Sequence, residues 1–524
     1  MVSINKKVGI ASLIMMLSIF LSRFIGLFRE MSIAYIGGTG SEVDAYQLAF
    51  MIPEILNHVA ASGFLSITFI PIFTHYLSDN NESEGWRIFS IICNTVGSFL
   101  IVLIVIACLL TRPLIQLLAP GISNVQTIDY AVTMTRIIVP AQFFFFMGGL
   151  FMAVQYANEH FIYPALAPLI YNLGIIIGGI ALGKQLGMKG FSYGVLVGAF
   201  VGNFVLQYVG AKRVGMRYYF DFSFNHPDLK KYIVLTLPLM IGMTMIFSTE
   251  ICFKFFGSWL PAGSIASLNY AFRVMFMMVG FFGQAVGVAS FPYLSQLAAK
   301  KDIASMNNLL NDTLNHYIAL IIPFSVLLAV LRHEVIFILF ERGKFTSGDT
   351  KIAADILMYL MIGAFAFAAQ TVVVRGYYAM QNTLFPAIFS TLAVLISVPF
   401  YFLGLQYMDV YGIALAMSIS AIIQIVLLYA LWNRKAQNAN SLNVYMFFCK
   451  IILMSVLLGL IAFGGREFFI QWFPPISILN CLMTSFLTGI MFLLFFIGFG
   501  YMVHIETIVD LTQHIYRRLI KSVD

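Results

Sequence analysis

Apolar residues run along this chain in long unbroken blocks, separated by short polar stretches that carry most of the charge. About fourteen blocks approach or exceed the roughly 20 residues that a helix needs to span a bilayer. They lie near 8–28, 44–75, 88–111, 128–155, 163–183, 190–211, 231–256, 266–297, 312–331, 352–380, 384–405, 411–432, 445–463 and 476–503. Blocks longer than about 25 residues predict tilted or bent helices. A membrane β-barrel would instead alternate polar and apolar positions over stretches of about 10 residues. The pattern predicts an all-α integral membrane protein with about fourteen transmembrane helices.

Composition supports the same class. Hydrophobic residues make up 60% of the chain and charged residues 10%, with a mean hydropathy of +0.90. A soluble domain carries about 25% charged residues. The opening Asn5-Lys6-Lys7 and the apolar run after it resemble the start of a signal peptide. That run is about 20 residues long, holds Arg23 and ends at no small-residue cleavage site, so a retained helix is expected.

Charge predicts the orientation. Alternating the connections from a cytoplasmic start places Lys6, Lys7, Arg87, Lys212, Arg213, Arg217, Lys230, Lys231, Lys300, Lys301, Arg434, Lys435, Arg517, Arg518 and Lys521 on one side. The other side holds Arg112, Lys184, Lys189, Arg332, Arg342, Lys344, Lys351 and Arg466. The excess marks the first side as cytoplasmic and puts both termini there. The net charge of +7 is thus dispersed between helices and gathers in no patch, which argues against nucleic acid as a partner. The phospholipid bilayer is the expected surrounding.

Self-similarity organises the chain further. Ala49-Phe50 recurs as Ala271-Phe272, Tyr156-Ala157 as Tyr378-Ala379, Pro164-Ala165 as Pro386-Ala387, Gly190 as Gly412, and Lys212-Arg213 as Arg434-Lys435, always 222 residues on. Phe69-Ile70-Pro71 and Ser290-Phe291-Pro292 differ from that spacing by one. The expected organisation is an N-lobe over 1–222 with helices 1–6, a C-lobe over 223–444 with helices 7–12, and a region 445–524 with helices 13–14 and a cytoplasmic amphipathic tail. An even number of spans per copy predicts parallel repeats, and two such lobes predict alternating access to a cleft between them.

Charges inside spans mark the candidate site, because each costs at least about 2.5–3.5 kcal/mol at mid-bilayer. Arg23 and Arg29 fall in the outer half of the first span, Asp44 opens the second, and Arg273 sits early in the eighth, the repeat counterpart of the second. Arginines from both halves suit a clamp on one anionic headgroup, since a guanidinium grips phosphate oxygens with paired hydrogen bonds and keeps its charge. Asp44 reads as an orienter of these arginines. Snorkelling, or a structural ion pair such as Arg29 with Asp44, is the structural alternative. Glu54 and His58, and Glu250 and Lys254, are spaced four apart, as structural pairs or proton relays require. Glu54, His58 and Glu250 are therefore the candidates for ion or proton coupling. Arg136, just before Val139-Pro140, is expected to fill carbonyls that the proline frees, while Arg375 and Lys450 are expected to snorkel.

No catalytic or metal-binding set stands out. The eight histidines are scattered, no phosphate-binding GxxxxGK[ST] loop occurs, and the five cysteines lie singly in apolar blocks. The expectation is a transporter without cofactor or metal that draws on an ion gradient or the membrane potential.

The string Ser22-Arg23-Phe24-Ile25-Gly26-Leu27-Phe28-Arg29-Glu30 resembles the S-R-x-x-G-x-x-R-[DE] signature of the MurJ/MviN lipid II flippases, in the multidrug/oligosaccharidyl-lipid/polysaccharide exporter superfamily. Val43-Asp44-Ala45-Tyr46, Ile52-Pro53, Ala61-Ser62-Gly63, Phe69-Ile70-Pro71, Tyr270-Ala271-Phe272-Arg273 and Arg342-Gly343-Lys344-Phe345-Thr346 are similar to its later motifs in order and spacing. The resemblance implies fourteen helices and a cationic central cavity. It further implies a groove for the polyprenyl tail on helices 13 and 14, and transport of undecaprenyl-diphosphate-linked peptidoglycan precursor across the bacterial inner membrane. It carries functional importance onto Arg23, Arg29, Asp44 and Arg273, and makes cell-wall synthesis proteins candidate partners. The chain departs from the family at Asn57 and His58, where basic residues are frequent. It also departs at Ser62, where an acid is frequent, and at Phe272 and Phe276, where acidic neighbours of the arginine are frequent. A less charged cavity follows. The competing readings are a flippase for another polyprenyl-linked oligosaccharide such as an O-antigen or capsule unit, a cation-coupled drug exporter, and a non-transporting scaffold. Cation export favours acidic and aromatic linings, against which the arginines stand.

Overall fold

The protein is described from a computed structural model. The structure describes residues 4–59, 65–242, 244–382, 384–505 and 507–509, and the side chains of 4–12, 59, 65–67, 237–242, 244–248 and 282–289 are left aside. Ser62, within Ala61-Ser62-Gly63, and the basic tail with Arg517, Arg518 and Lys521 lie outside the described residues.

The helices are, in order, α1 (Ile4–Gly37), α2 (Ser41–Ala49), α3 (Met51–Val59), α4 (Leu65–Ser78), α5 (Glu82–Leu109), α6 (Thr111–Leu118), α7 (Val125–Ile138), α8 (Ala141–Ala157), α9 (Ile162–Leu186) and α10 (Met188–Ala199). A π-helical turn, Phe200–Val205, leads into α11 (Leu206–Arg213), followed by α12 (Pro227–Gly242), α13 (Thr244–Gly257), α14 (Ser264–Ala299) and α15 (Ile303–Val330). The last are α16 (Arg332–Phe340), α17 (Ser347–Ala379), α18 (Leu384–Lys435), α19 (Ser441–Ile470) and α20 (Ile478–Met502). Among the described residues, 10 helical runs are long and apolar enough to cross a membrane. The chain is an all-helical multi-span membrane protein, as its apolar blocks predict.

Two blocks bend for identifiable reasons. The block 44–75 breaks after Ala49, and Pro53 explains the break. Its ring meets the carbonyl four residues back, at Ala49, and it offers no N–H to that turn. The blocks 384–405 and 411–432 form α18, which is interrupted at Asp409 with φ 49° and ψ −129°. Gly187, between α9 and α10, adopts nearly the same backbone at φ 57° and ψ −135°. That region is open to glycine and strained for a residue with a Cβ. We expect Asp409→Gly to stabilise the protein by about 1–2 kcal/mol. Gly187→Asp should destabilise it, because a Cβ there would lie 2.1 Å from Glu42 Oε1. Thermal unfolding of both variants in detergent checks this, and an unchanged midpoint for Asp409→Gly contradicts it.

Gly187 and Asp409 are 222 residues apart, and other joints recur at that spacing. Left-handed residues pair as Glu159 with Gln381 and Gly215 with Gln437, and, one residue shorter, as Asn80 with Lys301. α8 and α17 end at Ala157 and Ala379, and α9 and α18 begin at Ile162 and Leu384.

Contacts divide the chain into two compact units. One comprises Met1–Ala266 with Arg342–Phe345, the other Ser267–Glu341 with Thr346–Asp524. In the first unit α9 packs closely on α10 through facing glycines, and a Cβ at Gly194 would lie 2.6 Å from the Gly174 carbonyl oxygen. Small residues of this kind let helices approach where lipid supplies no hydrophobic drive between them. α1 packs on α9, and α12 packs on α4 and α5. In the second unit α15 packs on α17 and α19, and α17 on α18.

Candidate functional site

The first-span motif folds into a polar network. Ser22 and Arg29 are seven residues apart, two turns along α1, so they share a face. Asn172 of α9 meets both. Its Nδ2 donates to Ser22 Oγ (3.3 Å) and to the Pro168 carbonyl (2.9 Å), and its Oδ1 accepts from Arg29 Nη1 (3.0 Å). Arg29 Nη2 donates to Glu30 at 2.7 Å. Glu30 is buried, while the Arg29 side chain keeps 23% of its surface exposed. The guanidinium is therefore fixed by two neighbours, on a side chain that is only partly buried. Arg23, beside Ser22, is partly exposed, and among the described residues it has no hydrogen-bond or ion-pair partner. Sequence reasoning passed over Asn172. The signal for it is an amide side chain inside the otherwise apolar block 163–183.

Asp44 does something other than orient an arginine. Its carboxylate accepts from the backbone N–H of Gly263 (2.5 Å) and of Ala266 (2.7 Å). These are among the N–H groups that the start of α14 cannot satisfy itself, and a carboxylate also suits the positive end of the helix dipole. Glu42, two residues earlier, accepts from Met188 N (2.6 Å) at the start of α10. Gly263 has φ 94°, and a Cβ there would meet the Thr39 carbonyl at 1.8 Å, so glycine alone permits this approach. Beside Asp44 lies a cavity of about 230 Å³ lined by Ser41, Asn124, Thr127, Ser258 and Ile265 among others.

The two acidic candidates for coupling converge on one lysine. Lys254 Nζ lies 3.5 Å from Glu54 Oε2 and 3.7 Å from Glu250 Oε2, and its side chain is 2% exposed. The expected Glu250–Lys254 pair forms, and Glu54 joins it from α3. The His58 ring donates from Nδ1 to the Glu54 carbonyl oxygen at 2.6 Å, one turn back on the same helix. Arg136 donates to the carbonyl of Cys108 (3.0 Å) at the end of α5, not to a carbonyl freed by Pro140. Lys450 donates to the Val503 carbonyl (2.7 Å).

Arg273 belongs to the second unit and is partly exposed on α14. Its neighbours Phe272 and Phe276 pack at 4.6 Å, and Phe367 of α17 closes a cluster at 6.0 and 5.4 Å from them. Phe272 and Phe276, where acidic neighbours of the arginine are frequent in the family, thus form an aromatic wall with Phe367.

A sequence profile described as "Lipid II flippase MurJ" matches residues 33–483. The chain belongs to the lipid II flippase MurJ family. It is 26% identical over 454 residues to the probable lipid II flippase MurJ of Buchnera aphidicola subsp. Baizongia pistaciae, covering 86% of this chain and 88% of that one. With the probable lipid II flippase MurJ of Rhizobium tropici it shares 25% identity over 489 residues, 91% and 90% of the two chains. A solved structure of lipid II flippase MurJ in an inward closed conformation superposes with a TM-score of 0.76 at 25% identity, covering 94% of this chain and 99% of that one. An inward-facing multidrug resistance MATE family transporter of the MOP superfamily shares the fold, with a TM-score of 0.66 at 11% identity over 79% of this chain and 94% of its own. The MurJ profile takes in Asp44, Glu54, Lys254 and Arg273, whereas the network of Ser22, Arg29 and Glu30 precedes it. A member of this transporter family is not an enzyme.

Proposed function

We propose that this protein moves lipid II, the undecaprenyl-diphosphate-linked peptidoglycan precursor, from the cytoplasmic to the periplasmic leaflet of the bacterial inner membrane by alternating access. The observation that carries the reading is the Arg29 guanidinium, fixed by Asn172 and Glu30 on the same span that carries the partly exposed Arg23. A diphosphate offers oxygens that two such groups can grip. Arg23, Arg29 and Arg273 are the headgroup contacts in this account. Asp44 is a positioning residue, because it holds the start of the helix that carries Arg273 two turns further on. Glu54, Glu250 and His58, with Lys254 between the two acids, are the groups at which an ion gradient or the membrane potential would act. The recurrent helix ends and left-handed joints support two related lobes, 1–222 and 223–444, with 445–524 added.

The aromatic wall beside Arg273 favours a second reading, in which the cargo is another polyprenyl-linked oligosaccharide whose sugar rings pack on Phe276. Complementation separates the two. A bacterial host depleted of its own lipid II flippase should regain growth and surface-exposed precursor when this chain is expressed. Correct membrane insertion without rescue would reject lipid II and leave the other glycan.

A further inference from the structure

The segment from Val214 to His226, between α11 and α12, contains no helix, and its sequence alternates. Tyr218, Phe220, Phe222 and Phe224 are aromatic, and Tyr219, Asp221 and Ser223 between them carry polar groups. Successive side chains of an extended chain point to opposite sides, so the alternation gives the segment two faces.

One face is tied to α5. Tyr219 N donates to Ser90 Oγ (2.9 Å), and Asn94 Nδ2 donates to the carbonyls of Tyr219 (3.2 Å) and Asp221 (2.9 Å). Arg87 Nε donates to the Asp221 carboxylate at 2.7 Å. Ser223 donates to the other oxygen from its N–H (3.0 Å) and hydroxyl (2.6 Å). The Ser223 hydroxyl and then Arg87 hold the Asp221 carboxyl below the usual carboxylate range, so these ties persist at neutral pH.

The Tyr218 hydroxyl also donates to Asn94 Oδ1 (2.7 Å), so the exposed row begins at Phe220. Phe220 is 83% and Phe224 68% exposed, and the rings of 220, 222 and 224 pack in a row at 5.2 and 6.4 Å. Exposed Lys212, Arg213, Arg217, Lys230 and Lys231 flank the row. Three acids beside it are engaged: Asp221 with Arg87, Asp228 with the Tyr76 hydroxyl, and Glu84 with Arg87 and His226. The segment also joins the ends of two apolar blocks, which sets it at the membrane–water boundary.

We propose that residues 218–224 form an interfacial strap that docks on an anionic phospholipid surface, the Phe220, Phe222 and Phe224 rings entering the headgroup layer and the five flanking basic residues drawing acidic lipids around them. Aromatic rings favour that layer, and lysines and arginines near it are attracted to acidic headgroups. Because the backbone is already pinned to α5, the rings are presented without an ordering step. The inference is independent of the cargo.

The test uses the full chain in vesicles of phosphatidylcholine alone or mixed with phosphatidylglycerol. A nitroxide is attached at Phe220→Cys after the five native cysteines are changed to alanine. Its collisions with oxygen, which partitions into lipid, are compared with those of a water-soluble nickel complex. The strap predicts that oxygen collisions dominate in the mixed vesicles. The bias should weaken in phosphatidylcholine alone and in Arg217→Gln/Lys230→Gln/Lys231→Gln. A label that meets nickel freely in both vesicles overturns the proposal, and so does one shielded from both reagents, which would mean a protein covers the face. If the cysteine-free chain does not fold, Phe220→Trp in the native chain gives the same reading. Lipids brominated near the headgroup should then quench it beyond the signal of the four native tryptophans.

Discussion

Arg23→Ala is expected to lower lipid II transport by roughly 10- to 150-fold while leaving the protein as stable as before. The range follows from a hydrogen bond to a charged group, worth about 1.5–3 kcal/mol, at 1.4 kcal/mol per tenfold. Arg23 has no partner among the described residues, so its removal strands none of them. Surface changes of that kind stay within about 0.5 kcal/mol. Arg29→Ala is the informative contrast. It removes a proposed headgroup contact and also leaves the buried Glu30 without its guanidinium and Asn172 without its donor. That variant should lose transport and stability together. Arg29→Lys should recover only part of either, because one ammonium does not reproduce a planar fork reaching Asn172 and Glu30 at once. Transport into vesicles read beside thermal unfolding separates the two effects. An Arg23→Ala protein that unfolds early would mean that the residue is structural and that the headgroup assignment fails for it.

The largest effect on stability is expected at the other end of the chain. Glu334, in α16, is fully buried and faces Arg466 of α19. Both Nη2 (2.7 Å) and Nε (2.8 Å) of Arg466 reach the same oxygen, Oε1, and Nη1 also holds Glu467 at 2.9 Å. Arg466→Ala should destabilise the protein by about 3–5 kcal/mol, because it leaves an isolated carboxylate in an apolar interior. The double change Glu334→Gln/Arg466→Met should cost much less, since it removes both charges and keeps the volume. A double-mutant cycle on unfolding in lipid nanodiscs measures the coupling. If Arg466→Ala is as stable as the parent, the pair contributes nothing and α19 is held by apolar packing alone.

These residues also show what the sequence made legible. The apolar blocks are the most direct signal, because a continuous apolar run of span length satisfies its own backbone in lipid as a helix, whereas a barrel strand would alternate. The bend at Ala49 could have been read from Pro53. Glu334 could not. It lies three residues beyond the block 312–331 and looks like a loop charge, and only packing reveals that it is buried. Asp44 shows the same limit. Its place at the start of a span marked it as important, but its partners are backbone N–H groups of Gly263 and Ala266, which no residue pattern names. Glu54 meeting Lys254 required the contact of two helices distant in sequence, whereas Glu250 and Lys254 were legible from their spacing of one turn. The alternation Tyr218-Tyr219-Phe220-Asp221-Phe222-Ser223-Phe224 was visible from the start.

In the proposed function, guanidinium groups of this chain hold the diphosphate of a lipid as it crosses the bilayer. The most direct test is movement of lipid II in vesicles reconstituted with the purified chain, scored by the fraction of labelled lipid II reaching an enzyme confined to the opposite face. Transfer is expected from the parent protein, and little from Arg23→Ala or Arg273→Ala at equal insertion. Equal transfer by all three, or transfer of a different polyprenyl-linked glycan in place of lipid II, would contradict that function.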